Sequence, residues 1–168
     1  MNNDKQNKAI NDLMENYNEL VNQIFRFIYL KTSSKEIAED LTQDCFLSTV
    51  KYLKDKEVRN IRAFLFRTAR NKVIDYYRIR NRIIYSDELV LANEKISSRD
   101  DIAIKQDARM IIEKLNLLGE EDKEILMMRY IEDMNIKEIA EALGKNEVVV
   151  RVRIFRAMQK FKKIVNRK

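Results

Sequence analysis

Apolar residues recur at helical spacing along most of this chain, and the pattern predicts an all-α protein. Three helices are predicted in the first half, at about 8–30, 33–53 and 61–82. Four are predicted in the second half, at about 101–117, 120–131, 135–143 and 146–165. Ser33 with Glu36 fits a capping box for the second helix, and Ser98 with Asp101 provides a cap for the fourth.

Asn135 and Gly144 bracket a short helix, because asparagine favours the start of a helix and glycine its end. The turn at Gly144 leads directly into a basic helix, which predicts a helix-turn-helix. The residues expected to pack beneath its second helix are Ile136, Ile139, Ala140 and Leu143.

The composition favours helices and excludes several kinds of chemistry. The 168 residues include no proline, no histidine, two glycines and one cysteine. Histidine-based catalysis and histidine-containing zinc sites are excluded, and no glycine-rich phosphate-binding motif is present. We therefore expect a binding protein without cofactor or metal. Because no apolar stretch reaches about 18 residues and no secretory leader is visible, we also expect a soluble cytoplasmic protein.

Positive charge is concentrated in two segments of a chain whose net charge is +6. Residues 59–82 have eight basic side chains against Asp75, a net charge of +7, and residues 145–168 have nine against Glu147, a net charge of +8. Helical periodicity fades over 83–101, where the net charge is −3. The predicted organisation is two small helical domains, 1–82 and 102–168, joined by an acidic linker at 83–101. Two separated basic segments suggest a polyanion held at two places.

The second predicted helix has an apolar face and an acidic face. The apolar face, expected to be core, contains Ile37, Ala38, Leu41, Cys45 and Tyr52. The opposite face contains Asp40, Gln43, Asp44, Leu47 and Lys51. An acidic face with a leucine is badly placed to bind DNA, so it is either a protein-docking surface or an ordinary solvent-exposed face.

The long third helix also has two faces. Its predicted core face contains Leu65, Phe66, Ala69, Val73, Tyr76 and Tyr77. The other side has a stripe of Arg67, Asn71, Arg78 and Arg82. Arginine and asparagine contact phosphates and base edges, and the preceding loop, with Arg59, Asn60 and Arg62, has residues suited to an unpaired base. A solvated basic face is the alternative.

The last helix has two apolar stripes. The predicted core stripe contains Val150, Ile154, Ala157, Met158, Phe161 and Val165. The second stripe, Val148, Val152 and Phe155, continues to Gln159 and is flanked by Arg151, Lys162, Arg156 and Lys163. Apolar side chains between cations suit a major groove, where thymine methyl groups lie between phosphate walls. The alternative is that another subunit or the other domain covers the stripe.

Three segments in this order resemble the sigma factors of bacterial RNA polymerase, in particular their extracytoplasmic-function group. The segments are AEDLTQDCF (38–46), RAFLFRTARNKVIDYYR (62–78) and LMMRYIEDMNIKEIAEALGKNEVVVRVRIFRA (126–157). The resemblance covers nearly the whole chain and implies the two promoter-reading domains of that group, region two and region four.

The resemblance implies a non-catalytic transcription initiation factor that binds core RNA polymerase, directs it to promoters and helps to melt promoter DNA. It also implies an anti-sigma factor as a further partner. The implied core-docking residues are Asp40, Leu41, Gln43, Asp44 and Leu47. The implied minus-ten residues, in and after the loop that contains Lys56, are Arg59, Asn60, Arg62, Phe64, Arg67, Arg70, Asn71 and Arg78. The implied minus-thirty-five residues are Val148, Arg151, Val152, Phe155, Arg156 and Gln159.

The chain departs from the family pattern at a few positions. Gly119 and Glu120 stand where prolines are common, and Lys145 takes a turn position that is usually apolar. Val149 and Val152 replace small hydroxyl residues of the recognition helix, which leaves the base preference at the minus-thirty-five element open.

Two other functions fit parts of the pattern. A stand-alone helix-turn-helix regulator with a dimerising N-terminal domain would bind a palindromic operator without polymerase. A carboxylate-metal nuclease would use acids such as Asp100–Asp101 or Glu120–Glu121–Asp122, although helix capping and the helix dipole already explain these acids.

Overall fold

The computed structural model describes residues 2–86 and 106–166, and these residues form helices without strands. The chain divides into two compact units, one within Met1–Asp100 and the other within Asp101–Lys168. The all-α class is confirmed. The predicted linker at 83–101 lies outside the described residues except for 83–86, which continue a helix four residues beyond its expected end. The predicted cap at Ser98 and Asp101 lies outside them as well.

The first unit contains, in its described part, α1 (Asn2–Glu15), α2 (Tyr17–Thr32), α3 (Lys35–Asp55) and α4 (Ile61–Ser86). Its core lies where α2, α3 and α4 pack together. The rings of Phe27 and Phe66 meet edge to face with centroids 5.3 Å apart. The Tyr77 hydroxyl donates a 2.8 Å hydrogen bond to the Lys31 carbonyl, which fixes α4 against the end of α2.

The single helix predicted at 8–30 is wrong, because the chain forms two helices that meet at Asn16. Asn16 has φ −105° and ψ 14°, outside the helical region. Its side-chain amide donates a 2.9 Å hydrogen bond to the Asp12 carbonyl, which also accepts a 3.2 Å hydrogen bond from the Asn16 backbone amide. Apolar residues keep their spacing across the break, so the periodicity alone does not reveal it.

Ser34, and not Ser33, caps α3. The Ser34 hydroxyl accepts a 3.4 Å hydrogen bond from the Ile37 amide. Ser33 has φ 55°, a left-handed conformation, and ends α2 instead. The predicted capping box of Ser33 with Glu36 is therefore wrong.

The buried face of α3 is more polar than predicted. It consists of Ala38, Thr42, Cys45, Phe46, Thr49 and Leu53. The Thr42 and Thr49 hydroxyls donate to the carbonyls of Ala38 and Cys45, at 2.6 and 2.8 Å, and so need no other partner in the core. Tyr52, predicted in the core, is exposed. On α4 the predicted core is confirmed at Leu65, Phe66, Ala69 and Val73, while Tyr76 and Tyr77 are half-buried.

The second unit contains, in its described part, α5 (Gln106–Leu115), α6 (Glu120–Leu126), a π-helical turn (Met127–Ile131), α7 (Ile136–Leu143) and α8 (Glu147–Val165). The α-helix predicted at 120–131 ends at Leu126 and continues as the π-helical turn. From within this turn, the Arg129 guanidinium donates a 2.8 Å hydrogen bond to the Met134 carbonyl. This bond holds the connection to α7.

The helix-turn-helix is confirmed at its boundaries. Asn135 and Glu138 form a reciprocal capping box at α7, and Gly144 ends that helix with φ 61°. The side chain of Asn146 then caps α8 by accepting a 2.8 Å hydrogen bond from the Val149 amide. Beneath α8, Ile139 and Ala140 are buried as predicted, while Ile136 and Leu143 are half-buried.

The predicted core stripe of α8 is correct over its first turns only. Val150, Ile154 and Ala157 are buried, and Met158 and Phe161 are half-buried. Val165 is exposed, because α8 has passed the core by its last turn.

Candidate nucleic-acid and partner interfaces

The outer face of α3 has an exposed acidic surface, which we call the acidic strip: Asp40, Gln43, Asp44 and Leu47, with half-buried Leu41 at its edge. Leu47 is 60% exposed although it is apolar. An exposed leucine among carboxylates gains nothing from folding. The strip therefore has the composition of a surface that a protein partner covers.

Asp44 connects the acidic strip to α4. Its carboxylate lies 3.8 Å from the Lys72 ammonium, and the Asp44 side chain is 64% exposed whereas that of Lys72 is 24% exposed. An ion pair this exposed contributes little to folding, about 0–1 kcal/mol. It does hold one carboxylate of the strip at a defined place.

An aromatic cluster lies next to the loop 56–60, which connects α3 and α4. The rings of Tyr52 and Phe64 have centroids 4.7 Å apart, and the Lys56 ammonium lies 5.1 Å from the Tyr52 ring centre. Tyr52 is a candidate that the sequence pattern missed, because its position seven residues after Cys45 suggested the core. Exposed aromatic rings beside cations are suited to stacking nucleic-acid bases.

The residues of the loop and of the start of α4 have unequal roles. Asn60 caps α4, since its side-chain oxygen accepts a 2.9 Å hydrogen bond from the Ala63 amide. Arg62 is half-buried, and its Nε donates a 3.0 Å hydrogen bond to Gln23 on α2. Arg59 is exposed. The arginines thus remain candidates for direct nucleic-acid contact, while the oxygen of Asn60 is engaged in folding.

A small cleft of about 240 Å³ opens beside Arg62. Glu19 accepts a 2.9 Å hydrogen bond from the Gln23 amide on one wall of the cleft. The hydrogen bonds from Arg62 to Gln23 and from Gln23 to Glu19 form a chain between α4 and α2. The complete lining is Asn16, Glu19, Leu20, Gln23, Ile61 and Arg62.

The outer stripe of α4 is exposed as predicted at Arg67, Asn71, Arg78 and Arg82, while Arg70 is half-buried. Arg78 pairs with Asp75 at 3.0 Å. Neither Arg67 nor Asn71 has a side-chain polar contact with another described residue. These two side chains are therefore available to a ligand.

The second apolar stripe of α8, which we call the ridge, is exposed. Val148 is 68% exposed, Val152 44% and Phe155 65%. Arg151, Arg156 and Gln159 beside it are exposed too. No described part of the same unit covers the ridge, so burial among the described residues of that unit does not explain it.

The cations of α8 fall into two groups that sequence alone does not separate. Arg153 forms an ion pair with Glu121, and Lys160 with Asp122, both at the start of α6. Arg151 pairs with Glu147 of its own helix at 3.2 Å. Arg156 has no ionic partner among the described residues. Arg153 and Lys160 therefore join helices, and Arg156 keeps its charge for a ligand.

These residues line an open cleft of about 440 Å³ beside the ridge. Its walls are Asp122, Val148, Val149, Val152, Arg153, Arg156 and Lys160. Of the acids considered as nuclease residues, Asp122 lines this cleft and pairs with Lys160, while Glu121 pairs with Arg153.

The described residues contain no group of three or more histidine, cysteine, aspartate or glutamate side chains placed to hold a metal ion. They also contain no helix with the length and apolar character needed to cross a membrane.

Known proteins match both units. The family description "Sigma-70 region 2" fits residues 16–83, and "Sigma-70, region 4" fits residues 108–161. The chain belongs to the sigma-70 family of RNA polymerase sigma factors. This sigma factor is 28% identical over 157 residues to the extracytoplasmic-function (ECF) sigma factor SigM of Bacillus subtilis (strain 168), covering 91% of this chain and 94% of that protein. The expected extracytoplasmic-function group is thereby confirmed.

Two solved structures share the fold of this sigma factor. Sigma factor RpoE in complex with the anti-sigma factor NepR from Bartonella quintana matches with a TM-score of 0.75 and 20% identity, covering 94% of this chain and 98% of that one. CnrH in complex with the cytosolic domain of CnrY matches with a TM-score of 0.64 and 22% identity, covering 98% of this chain and 92% of that one.

Proposed function

We propose that this sigma factor binds core RNA polymerase with one surface and promoter DNA with two others, and so directs the enzyme to specific promoters. It does so without catalysing a reaction, and it acts in the cytoplasm. The observation that carries the proposal is the exposed apolar ridge of α8, flanked by Arg151 and Arg156, on a helix-turn-helix.

The acidic strip on α3 is the proposed surface for core polymerase. Asp40 and Asp44 supply negative charge, and Leu47 supplies an apolar anchor that is 60% exposed without a partner. Complementary charge sets the orientation of such an interface, while a buried apolar anchor supplies affinity. Leu41 and Gln43 complete the contact.

The loop 56–60 and the outer side of α4 form the proposed minus-ten surface. Phe64, whose ring packs at a tilt of 37° against Tyr52, offers a ring to an unpaired base, and Arg67 with Asn71 offers donors to phosphates and base edges. Capture of a flipped base recovers part of an unstacking cost of about a few kcal/mol, which favours melting. The remaining contacts are proposed at Arg59, Asn60, Arg62, Arg70 and Arg78.

The ridge of α8 is the proposed minus-thirty-five surface, inserted into the major groove of duplex DNA. A recognition helix contacts base edges with residues near its N-terminus, where Val148, Arg151 and Val152 lie. Arg156 faces a phosphate wall. Phe155 and Gln159 extend the contact towards the end of the site.

Free sigma factor should bind promoters weakly, because each unit alone makes few phosphate contacts and their contribution falls steeply with salt. Polymerase holds both units near the DNA and raises their effective concentration. An anti-sigma factor is a third proposed partner, since such a factor would control access to these surfaces.

Run-off transcription with purified core polymerase on a pool of genomic promoters tests the proposal. We expect promoter-specific transcripts only when core enzyme and sigma factor are both present. The promoters that give transcripts then identify the promoter motif. A stand-alone regulator would instead give no transcripts and would bind a palindromic operator tightly in a gel shift without polymerase. That result would overturn the proposal.

A further inference from the structure

Apart from Arg151 and Arg156, the exposed first turns of α8 lack the side chains that usually read bases by hydrogen bonding. Between the cap residue Asn146 and Gln159, the helix contains no serine, threonine, asparagine, glutamine or tyrosine. The Asn146 oxygen is engaged in its own cap, at 2.8 Å from the Val149 amide. Glu147, a residue type that accepts hydrogen bonds from cytosine, is paired with Arg151.

The side chains that remain at this surface are apolar or cationic. Val148 and Val152 are four residues apart and Phe155 is three further on, so the three lie along one side of the helix. The span from Val148 to Phe155 is about 10 Å at 1.5 Å per residue, which is about three base-pair steps. The ridge therefore has the length of about four consecutive base pairs.

Thymine is the one base that offers an apolar group, its 5-methyl, in the major groove. The ridge is apolar like this methyl group, and the positive charge of Arg156 at its border is complementary to the negative phosphates. Duplex DNA fits both features together, whereas an apolar protein segment would leave Arg156 unmatched.

We propose that the ridge discriminates bases by apolar contact, with Val148 and Val152 packing against thymine 5-methyl groups of the upstream promoter element. This inference rests on the proposed function of α8 as the minus-thirty-five reader. It adds the chemical feature that selects the sequence.

Deoxyuridine provides the test, because it lacks the 5-methyl group of thymine and keeps the same hydrogen-bonding edge. Each thymine of the upstream element, as defined by the promoter pool, is replaced in turn, and binding of the duplex by the complete polymerase–sigma complex is measured by competition. Loss of one packed methyl group should weaken binding about fourfold at one or two positions. Thymines outside the element serve as controls and should be insensitive.

The residues are tested with Val148→Ala and Val152→Ala. At the position that each valine contacts, the alanine variant should bind thymine and deoxyuridine duplexes equally well. Val165→Ala is the matched control, because Val165 is 49% exposed on the same helix but lies outside the ridge. It should keep the full sensitivity to the methyl group, and thermal unfolding should show that all three variants fold.

Several results would overturn the inference. One is strong promoter-specific transcription with no sensitivity to deoxyuridine at any position, which leaves the proposed function intact. Another is methyl sensitivity that persists in both alanine variants, or an upstream element without thymine. Absence of promoter-specific transcription would be a failure of the proposed function itself, and the inference would fall with it.

Discussion

Arg62 at the start of α4 donates a 3.0 Å hydrogen bond from its Nε to the side-chain oxygen of Gln23 on α2. Gln23 is buried and in turn donates to Glu19 at 2.9 Å. The guanidinium that is proposed to contact the minus-ten strand is therefore oriented by a different helix. Helix α2 therefore takes part in the proposed minus-ten surface through Gln23, which is not a basic residue.

Gln23→Leu should impair promoter melting, because it removes the acceptor that orients Arg62. One hydrogen bond to a charged, half-exposed group is worth about 1 kcal/mol, so we expect open complexes to form about fivefold less. Permanganate reactivity of unpaired thymines measures this. Asn22→Leu, at an exposed neighbour on α2, is the control. Equal defects in the two variants would argue against a role for the hydrogen bond.

Asp44→Arg should abolish co-purification with core polymerase. It reverses a charge of the acidic strip and places a cation beside Lys72, whose ammonium lies 3.8 Å from the native carboxylate. Because the pair is exposed, thermal stability should change by no more than about 1 kcal/mol. Glu15→Arg makes the same change of charge at an exposed site on α1 and should leave binding intact. If the Asp44 variant still bound polymerase, the docking surface would lie elsewhere on the protein.

Arg156→Ala and Arg153→Ala should differ in their effect on DNA binding. Arg156 lacks an ionic partner among the described residues, so its loss should weaken holoenzyme binding and lower the slope of log K against log salt by about 1. Arg153 is paired with Glu121, so its loss should leave that slope unchanged and slightly lower the melting temperature. Comparison of the two salt slopes tests which arginine contacts DNA. A larger change of slope for Arg153→Ala than for Arg156→Ala would contradict the assignment.

Gly144→Ala should destabilise the second unit by about 1 kcal/mol, since φ 61° is costly for any residue with a Cβ. Space is not the reason, because an added Cβ would meet no atom within 4 Å. Gly119 has the same open surroundings but φ −64°, so Gly119→Ala should be neutral or slightly stabilising. Urea unfolding compares the two, and equal losses would show that the left-handed turn is not the cause.

Cys45 should make stability fall at alkaline pH. Burial raises the pKa of its thiol from 9.0 to about 12, against smaller opposing effects of Lys72 and of the Thr49 hydrogen bond. Between these values the unfolded chain loses the proton and the folded chain keeps it, so stability decreases as pH rises, by up to about 1.4 kcal/mol per unit. Unfolding free energies at pH 8 to 10 should show a shallower decrease for Cys45→Ala than for the native chain. Parallel pH curves would contradict this.

Local signals explain which parts of the fold were predictable. Asn135, Gly144 and Asn146 act on their own helix ends, so their residue types were enough to place the helix-turn-helix. At Ser33 and Ser34 two adjacent serines compete for one cap, and the left-handed end of α2 decides between them. That choice depends on how α2 packs, and the local sequence pattern carries no information about this packing.

Long-range contacts explain what was missed in the candidate sites. The exposed ridge followed from helical spacing alone, because Val148, Val152 and Phe155 project away from Val150 and Ile154. The pairing of Arg153 with Glu121 joins residues far apart in the chain, so the sequence could not separate structural cations from those left for DNA. Tyr52 was assigned to the core from its spacing after Cys45, and that spacing gives no sign of its partner Phe64 on the next helix.

The ion pairs of Arg153 and Lys160 with the start of α6 also bear on how strictly this sigma factor selects its sites. They tie α8 to its neighbour in the free protein, so little side-chain freedom remains to be lost when the helix enters a groove. Each pair is partly exposed and contributes about 0–1 kcal/mol, so the two pairs oppose a shift of the helix towards a wrong base pair without preventing it. Mismatched promoters should therefore lose binding through steric misfit that local adjustment relieves only in part.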